Sequence, residues 1–69
     1  MLLTMTYRAE AYLLDSHHLR ATLGEFESVT EARAACDKHE GGTLSWSQPW
    51  EGLWEAYGAK RWYRVITSL

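Results

Sequence analysis

Along residues 5–13 apolar and polar side chains alternate. Met5, Tyr7, Ala9, Ala11 and Leu13 share one face, and Thr6, Arg8, Glu10 and Tyr12 the other. That period of two marks a half-buried strand. Asp15-Ser16-His17 is a turn-type cluster. After it Leu19, Ala21 and Leu23 alternate with His18, Arg20 and Thr22, so the two runs read as a hairpin. Gly24 interrupts the second run ahead of Phe26. A glycine inside a strand pattern suggests a bulge, which here would switch Phe26 onto the core side.

The period then changes. Ser28-Val29-Thr30-Glu31 is a capping box, and Val29, Ala32, Ala35, Cys36 and His39 recur at helical spacing. The spacing predicts a helix over 29–40, stopped by Gly41-Gly42. Its inward face is built of small residues, so it can approach a sheet closely while the sheet supplies the large side chains. Residues 43–47 read as a short strand with Leu44 and Trp46 inward, broken by Gln48-Pro49.

Residues 50–57 satisfy two patterns. Trp50, Leu53, Trp54 and Tyr57 fit an amphipathic helix. Gly52 counts against it, costing about 1 kcal/mol relative to Ala in a helix interior. Residues 53–57 also alternate, and 61–67 is rich in β-formers. A hairpin of 53–57 with 61–67 is favoured. The order is ββαββ: a single α+β domain over 1–69, with an antiparallel sheet of about four strands and one helix on one face.

With this order in place, the quoted motifs resemble a known group. Gly24-x-Phe26-x-Ser28-x-x-Glu31-Ala32, Leu44-x-Trp46, Trp54-x-Ala56-x-Gly58 and Tyr63-x-Val65 are similar to small uncharacterised proteins of bacteriophages and actinobacteria, of like length and ββαββ order. The resemblance covers most of the chain through structural motifs: a bulge, a cap, core aromatics and a turn. It implies a fold and a phage-like or accessory origin, in which the protein would modulate a host protein. It carries over no catalytic residue and no ligand.

Composition narrows the functional classes. The chain has 69 residues, 46% of them hydrophobic and 23% charged, which suits a folded domain and excludes disorder and low complexity. A single Cys excludes an internal disulfide framework and fits a reducing compartment. No apolar run approaches the roughly 20 residues that span a bilayer, and residues 1–5 lack a basic n-region and cleavage site. The expectation is a cytoplasmic protein without a membrane partner. Net charge is −2, with −5 over residues 1–55 and +3 over residues 56–69, where Lys60, Arg61 and Arg64 stand without an acid.

Catalysis finds little support. Cys36 and His39 lie one turn apart and could share a metal, but two ligands do not close a site, and a small buried Cys with a helix-end His is the simpler reading. The dipole in the second half of a helix also disfavours a thiolate there. Glu25 and Glu27 lie on one side of a strand as a solvated edge. No phosphate-binding glycine motif is present. The expectation is no enzyme, no metal and no cofactor.

Four Trp and four Tyr are the unusual feature. Against a small-residue helix, at least two Trp are needed as core. If Tyr63 and Val65 point inward, Trp62 and Arg64 point outward, joined across the sheet by Tyr12, Trp50, Trp54 and Tyr57. Trp, Tyr and Arg are the residues most enriched at binding hot spots, so this face predicts a protein partner, most simply a second copy in a homodimer. The alternative uses Lys60, Arg61, Trp62 and Arg64 to stack and neutralise single-stranded nucleic acid. The acidity of the chain disfavours it, because phosphate contacts supply much of such affinity.

Overall fold

A computed structural model of the chain describes residues 5–14 and 19–68, with the side chains of Leu19 and Arg20 left undescribed. The Asp15-Ser16-His17 turn and His18 fall outside these residues. Five strands and one helix form one α+β layer pair: β1 Thr6–Leu13, β2 Leu19–Phe26, α1 Val29–Glu40, β3 Trp46–Trp50, β4 Leu53–Tyr57 and β5 Arg61–Ser68. The strand order is β2-β1-β5-β4-β3, antiparallel throughout. The sheet therefore has five strands, not about four. The fifth is the short strand after the helix, β3, which joins the sheet at its edge.

The bulge stands where Gly24 predicts it. Ala9 lies opposite Gly24 and Glu10 opposite Thr22, leaving Leu23 as the extra residue. Gly24 takes φ 136°, a conformation side-chain-bearing residues rarely adopt. The shift sets Phe26 opposite Tyr7 and against the core. Ser28 caps α1 by accepting from the Glu31 N–H at 3.1 Å, and Gly41 closes its end with its N–H on the Asp37 carbonyl at 2.9 Å.

The helix packs over β2, β1 and β5. Small residues meet small residues: Ala32 and Cys36 from α1 sit with Ala9 and Ala11 from β1, all fully buried. Tyr63 and Val65 of β5 and Leu44 supply the volume, with Trp46, Trp54, Tyr7 and Phe26 around the margin. Large side chains thus come from the sheet, as the helix face predicts; β1 adds Tyr7 at the margin, while its Ala9 and Ala11 let the helix axis come close.

Two expectations are corrected in the second half. The short strand lies at Trp46–Trp50 and not at 43–47. The side chain of Asp37 explains the offset: its Oδ1 accepts the Leu44 N–H and the Trp46 indole N–H, both at 3.2 Å. Residues 43–45 are thereby held to the end of the helix and away from the ladder. Pro49 lies within β3 and does not break it. An edge strand has an N–H side with no ladder partner, so proline is tolerated there, and the register shifts between Ser47 and Trp50 around it. The amphipathic-helix pattern at 50–57 is a hairpin. Trp50 pairs with Leu53, and Gly52 carries the positive φ, 87°, of the two-residue turn.

Candidate functional site on the open sheet face

The helix covers one face of the sheet. The other face has no second layer among the described residues, and the strand registers order its side chains into three rows. The first is Tyr12, Trp62 and Tyr57, on β1, β5 and β4. The second is Glu10, Arg64 and Glu55. The third is Glu25, Arg8, Ile66, Leu53 and Trp50. The period of two in each strand puts every second residue here. The adjacency of β1 and β5 then brings residues fifty positions apart side by side.

The aromatic row is stacked. Tyr12 and Trp62 lie 4.3 Å apart between centroids at 13°, and Trp62 and Tyr57 6.0 Å apart at 22°. Neighbouring rings shield each other, so Tyr12 and Trp62 are only 6% and 9% exposed without a covering layer. The row ends at Tyr57, which is 62% exposed, and Trp50, at the far corner of the face, is 66% exposed.

The charged row is pinned. Arg64 donates through Nε and Nη2 to Glu10 Oε1, at 3.0 and 2.8 Å, and through Nη2 to the Tyr12 hydroxyl oxygen at 2.7 Å. Tyr12 in turn donates to Glu10 Oε1 at 2.9 Å. The Arg64 guanidinium also lies 5.4 Å from the centre of the Tyr12 ring. On the other side Arg8 Nε approaches Glu10 Oε2 at 3.2 Å, an ion pair without hydrogen-bond alignment. Glu10 is 5% exposed. Burial, and then the bond to Glu10, hold the Tyr12 hydroxyl above its ordinary pKa.

The structure divides the residues singled out in the sequence. Tyr12, Tyr57, Trp62, Arg64 and Trp50 share the open face. Trp54 does not: it lies opposite Val65 on the helix side, against the core. The basic cluster is also split. Arg64 belongs to the open face with Glu10. Arg61 turns to the helix side, where it pairs with Glu40 at 3.5 Å. Lys60 is exposed in the turn between β4 and β5. The three cations therefore form no common groove.

Cys36 and His39 are not brought together as ligands. Cys36 is fully buried, and burial, reinforced by the charge of Asp37, pushes its thiol up to about 12. His39 Nδ1 is 2.9 Å from the Tyr63 hydroxyl, which itself donates to Glu40 Oε1 at 2.9 Å. The Nδ1 of His39 is thus the donor in that contact. No group of three or more metal-binding side chains occurs among the described residues.

Sequence reasoning missed the acids that organise the fold. Glu10 is the anchor of the open face. Glu40, at the end of α1, accepts from Tyr63, from the Ala59 N–H at 3.2 Å and from Arg61, clamping the β4–β5 turn. Gly58 is the residue that permits this approach, since a Cβ there would stand 2.5 Å from Glu40 Oε2. The available signal was an acid on an alternating strand face whose nearest sequence neighbours include an arginine two residues away. No helix among the described residues is long and apolar enough to cross a membrane. No family model, curated protein or solved structure matches this chain.

Proposed function

We propose that this chain is a non-enzymatic protein-interaction module that self-associates through the open face of its sheet. The carrying observation is that this face has no covering layer among the described residues and exposes Trp50 and Tyr57 beside an internally paired centre. Exposed aromatics around a structured patch are the usual anchors of an interface. A second copy suits the patch for an electrostatic reason. Its described charges are of both signs, Arg8 and Arg64 against Glu10, Glu25 and Glu55. A two-fold axis, which sets a patch against itself, then meets no large like-charge field. Sheet-on-sheet packing at about 10 Å is the geometry expected.

Two observations favour a protein over single-stranded nucleic acid. The described acids of the face outnumber its bases, and Arg61 and Arg64 are both engaged by carboxylates. The faces of Tyr12 and Trp62 are also occupied by each other. In the accessory setting that the resemblance implies, the same face would serve a modulator of a host protein.

Sedimentation velocity between about 10 μM and 1 mM tests the proposal. Mass is expected to rise from monomer to dimer, and the paired change Trp50→Ser with Tyr57→Ser should hold it at monomer with an unchanged far-UV spectrum. A monomer at 1 mM in the unaltered chain would overturn it. Quenching of Trp fluorescence by an oligonucleotide at low salt would favour the nucleic-acid reading instead.

A further inference from the structure

The helix-side face is not fully covered. The helix lies over β2, β1 and β5, and beyond it, at the end of the sheet where α1 begins, the registers leave a notch. The outermost row on that face runs Phe26, Tyr7, Thr67 and then Gly52, since Thr67 adjoins Gly52 through its N–H and Oγ1, at 3.0 and 3.3 Å from the Gly52 carbonyl. Two large rings are followed by a small side chain and by none. A Cβ on Gly52 would stand 3.2 Å from Thr67 Oγ1 and narrow the space. Trp54, one row inward, forms the back wall. The resulting cleft is about 500 Å³, with Met5, Gln48 and Glu51 at its rim, a size within the range of small-ligand sites.

Its walls have a specific chemistry. Tyr7 and Trp54 meet at 75° with centroids 5.9 Å apart, so the two rings form a corner. No Lys or Arg among the described residues lies over either ring. The single ionisable acid on the rim is Glu51, which is exposed and has no ion-pair partner among the described residues. Perpendicular aromatic faces with a carboxylate suit a soft organic cation, because ring quadrupoles attract a cation and methyl groups fill the apolar corner. A compact, strongly hydrated ammonium gains less there.

We propose that this notch binds a methylated ammonium group, with Tyr7 and Trp54 as the aromatic walls and Glu51 as the countercharge. The group can belong to a small quaternary amine or to a methylated lysine side chain. The site lies on the opposite face from the self-association surface and rests on no part of that reading.

The test is NMR titration of the Trp54 indole N–H with tetramethylammonium chloride, beside the neutral isostere 3,3-dimethylbutan-1-ol. Saturable shifts at Trp54 with the cation about two- to fivefold tighter than the isostere are expected, from the strength of an exposed cation–π contact. Glu51→Gln, at an exposed turn, should weaken the cation about threefold and leave the isostere unchanged. Trp54→Leu should weaken it further, and Glu51→Gln keeps the test valid if that variant fails to fold. Equal binding of cation and isostere, or no shift up to about 50 mM tetramethylammonium, where a site of millimolar affinity would be nearly full, would overturn the proposal. Choline and a trimethyllysine peptide separate the two sources: tighter binding of the former assigns a small amine, of the latter a protein ligand.

Discussion

Glu10→Gln is the sharpest probe of how the open face is held. Glu10 is 5% exposed and its Oε1 accepts three bonds, two from Arg64 and one from Tyr12. Hydrogen bonds to a charged group contribute about 1.5–3 kcal/mol each at best. Arg64 keeps 32% of its side chain in solvent, so screening cuts the two Arg64 bonds to the lower part of that range. Gln keeps one acceptor and loses the charge, so the expected loss is about 1–2 kcal/mol, and Glu10→Ala should cost about 3. A domain of this length is expected to hold roughly 3–10 kcal/mol in total, so the alanine variant would be marginal. Urea unfolding followed by far-UV circular dichroism reads both, with an unchanged m-value. The double change Glu10→Leu with Arg64→Met removes both charges of the central pair and should cost less than its two singles summed, because neither Glu10 nor Arg64 is left facing an absent partner, and Arg8, the other cation on Glu10, is 42% exposed and can be solvated. A Glu10→Gln loss below about 0.3 kcal/mol, or a double variant additive in its singles, would refute the anchoring role.

The Glu40 clamp and the buried thiol give two further predictions. The Tyr63 hydroxyl first, then the Ala59 N–H and Arg61, hold the Glu40 carboxyl below its ordinary pKa. A lowered carboxylate stabilises the fold above the ordinary carboxylate range, and that contribution fades as pH falls through the lowered value. Glu40→Gln should therefore flatten the acid side of the urea midpoint measured from pH 6 to pH 2, and an acid limb of unchanged slope would count against the clamp. Cys36, fully buried with its thiol pushed up to about 12, should resist a disulfide reagent at pH 8 and react only at the rate of unfolding. Immediate stoichiometric labelling of the folded chain would contradict its placement.

Local signals in the sequence account for the elements whose rules are local. The capping box at Ser28, the glycine bulge at Gly24 and the alternation of 53–57 and 61–67 each act within a few residues, and each is seen. The position of β3 was not legible, because it is decided by Asp37, a helix residue that holds Leu44 and Trp46 from nine positions away or fewer. The site was legible in part. Residue type and alternation place Tyr12, Tyr57, Trp62 and Arg64 on one face. They do not reveal that Tyr12 and Trp62 close over one another, because ring stacking depends on β1 and β5 being neighbours. Trp54 went to the wrong face by the same gap. In the hairpin Trp54 and Tyr57 have opposite parity, and which of them shares a face with Trp62 is set by the β4–β5 register, which pairs Tyr57 with Trp62 and Trp54 with Val65.

The sheet order also governs how the chain can fold as it is made. β5 is the last element in sequence yet lies in the middle, between β1 and β4. Until it is synthesised, the β1–β2 hairpin and the β3–β4 hairpin are two unjoined ribbons, each with an open edge. Isolated two-stranded hairpins are marginal in water. The β1–β2 ribbon has α1 against it and the β3–β4 ribbon does not, so β5 is the strand that joins a supported ribbon to an unsupported one. The eight-residue pairing of β1 with β5 is then a single late closure over nearly the full chain length, the non-local step that sets the folding rate.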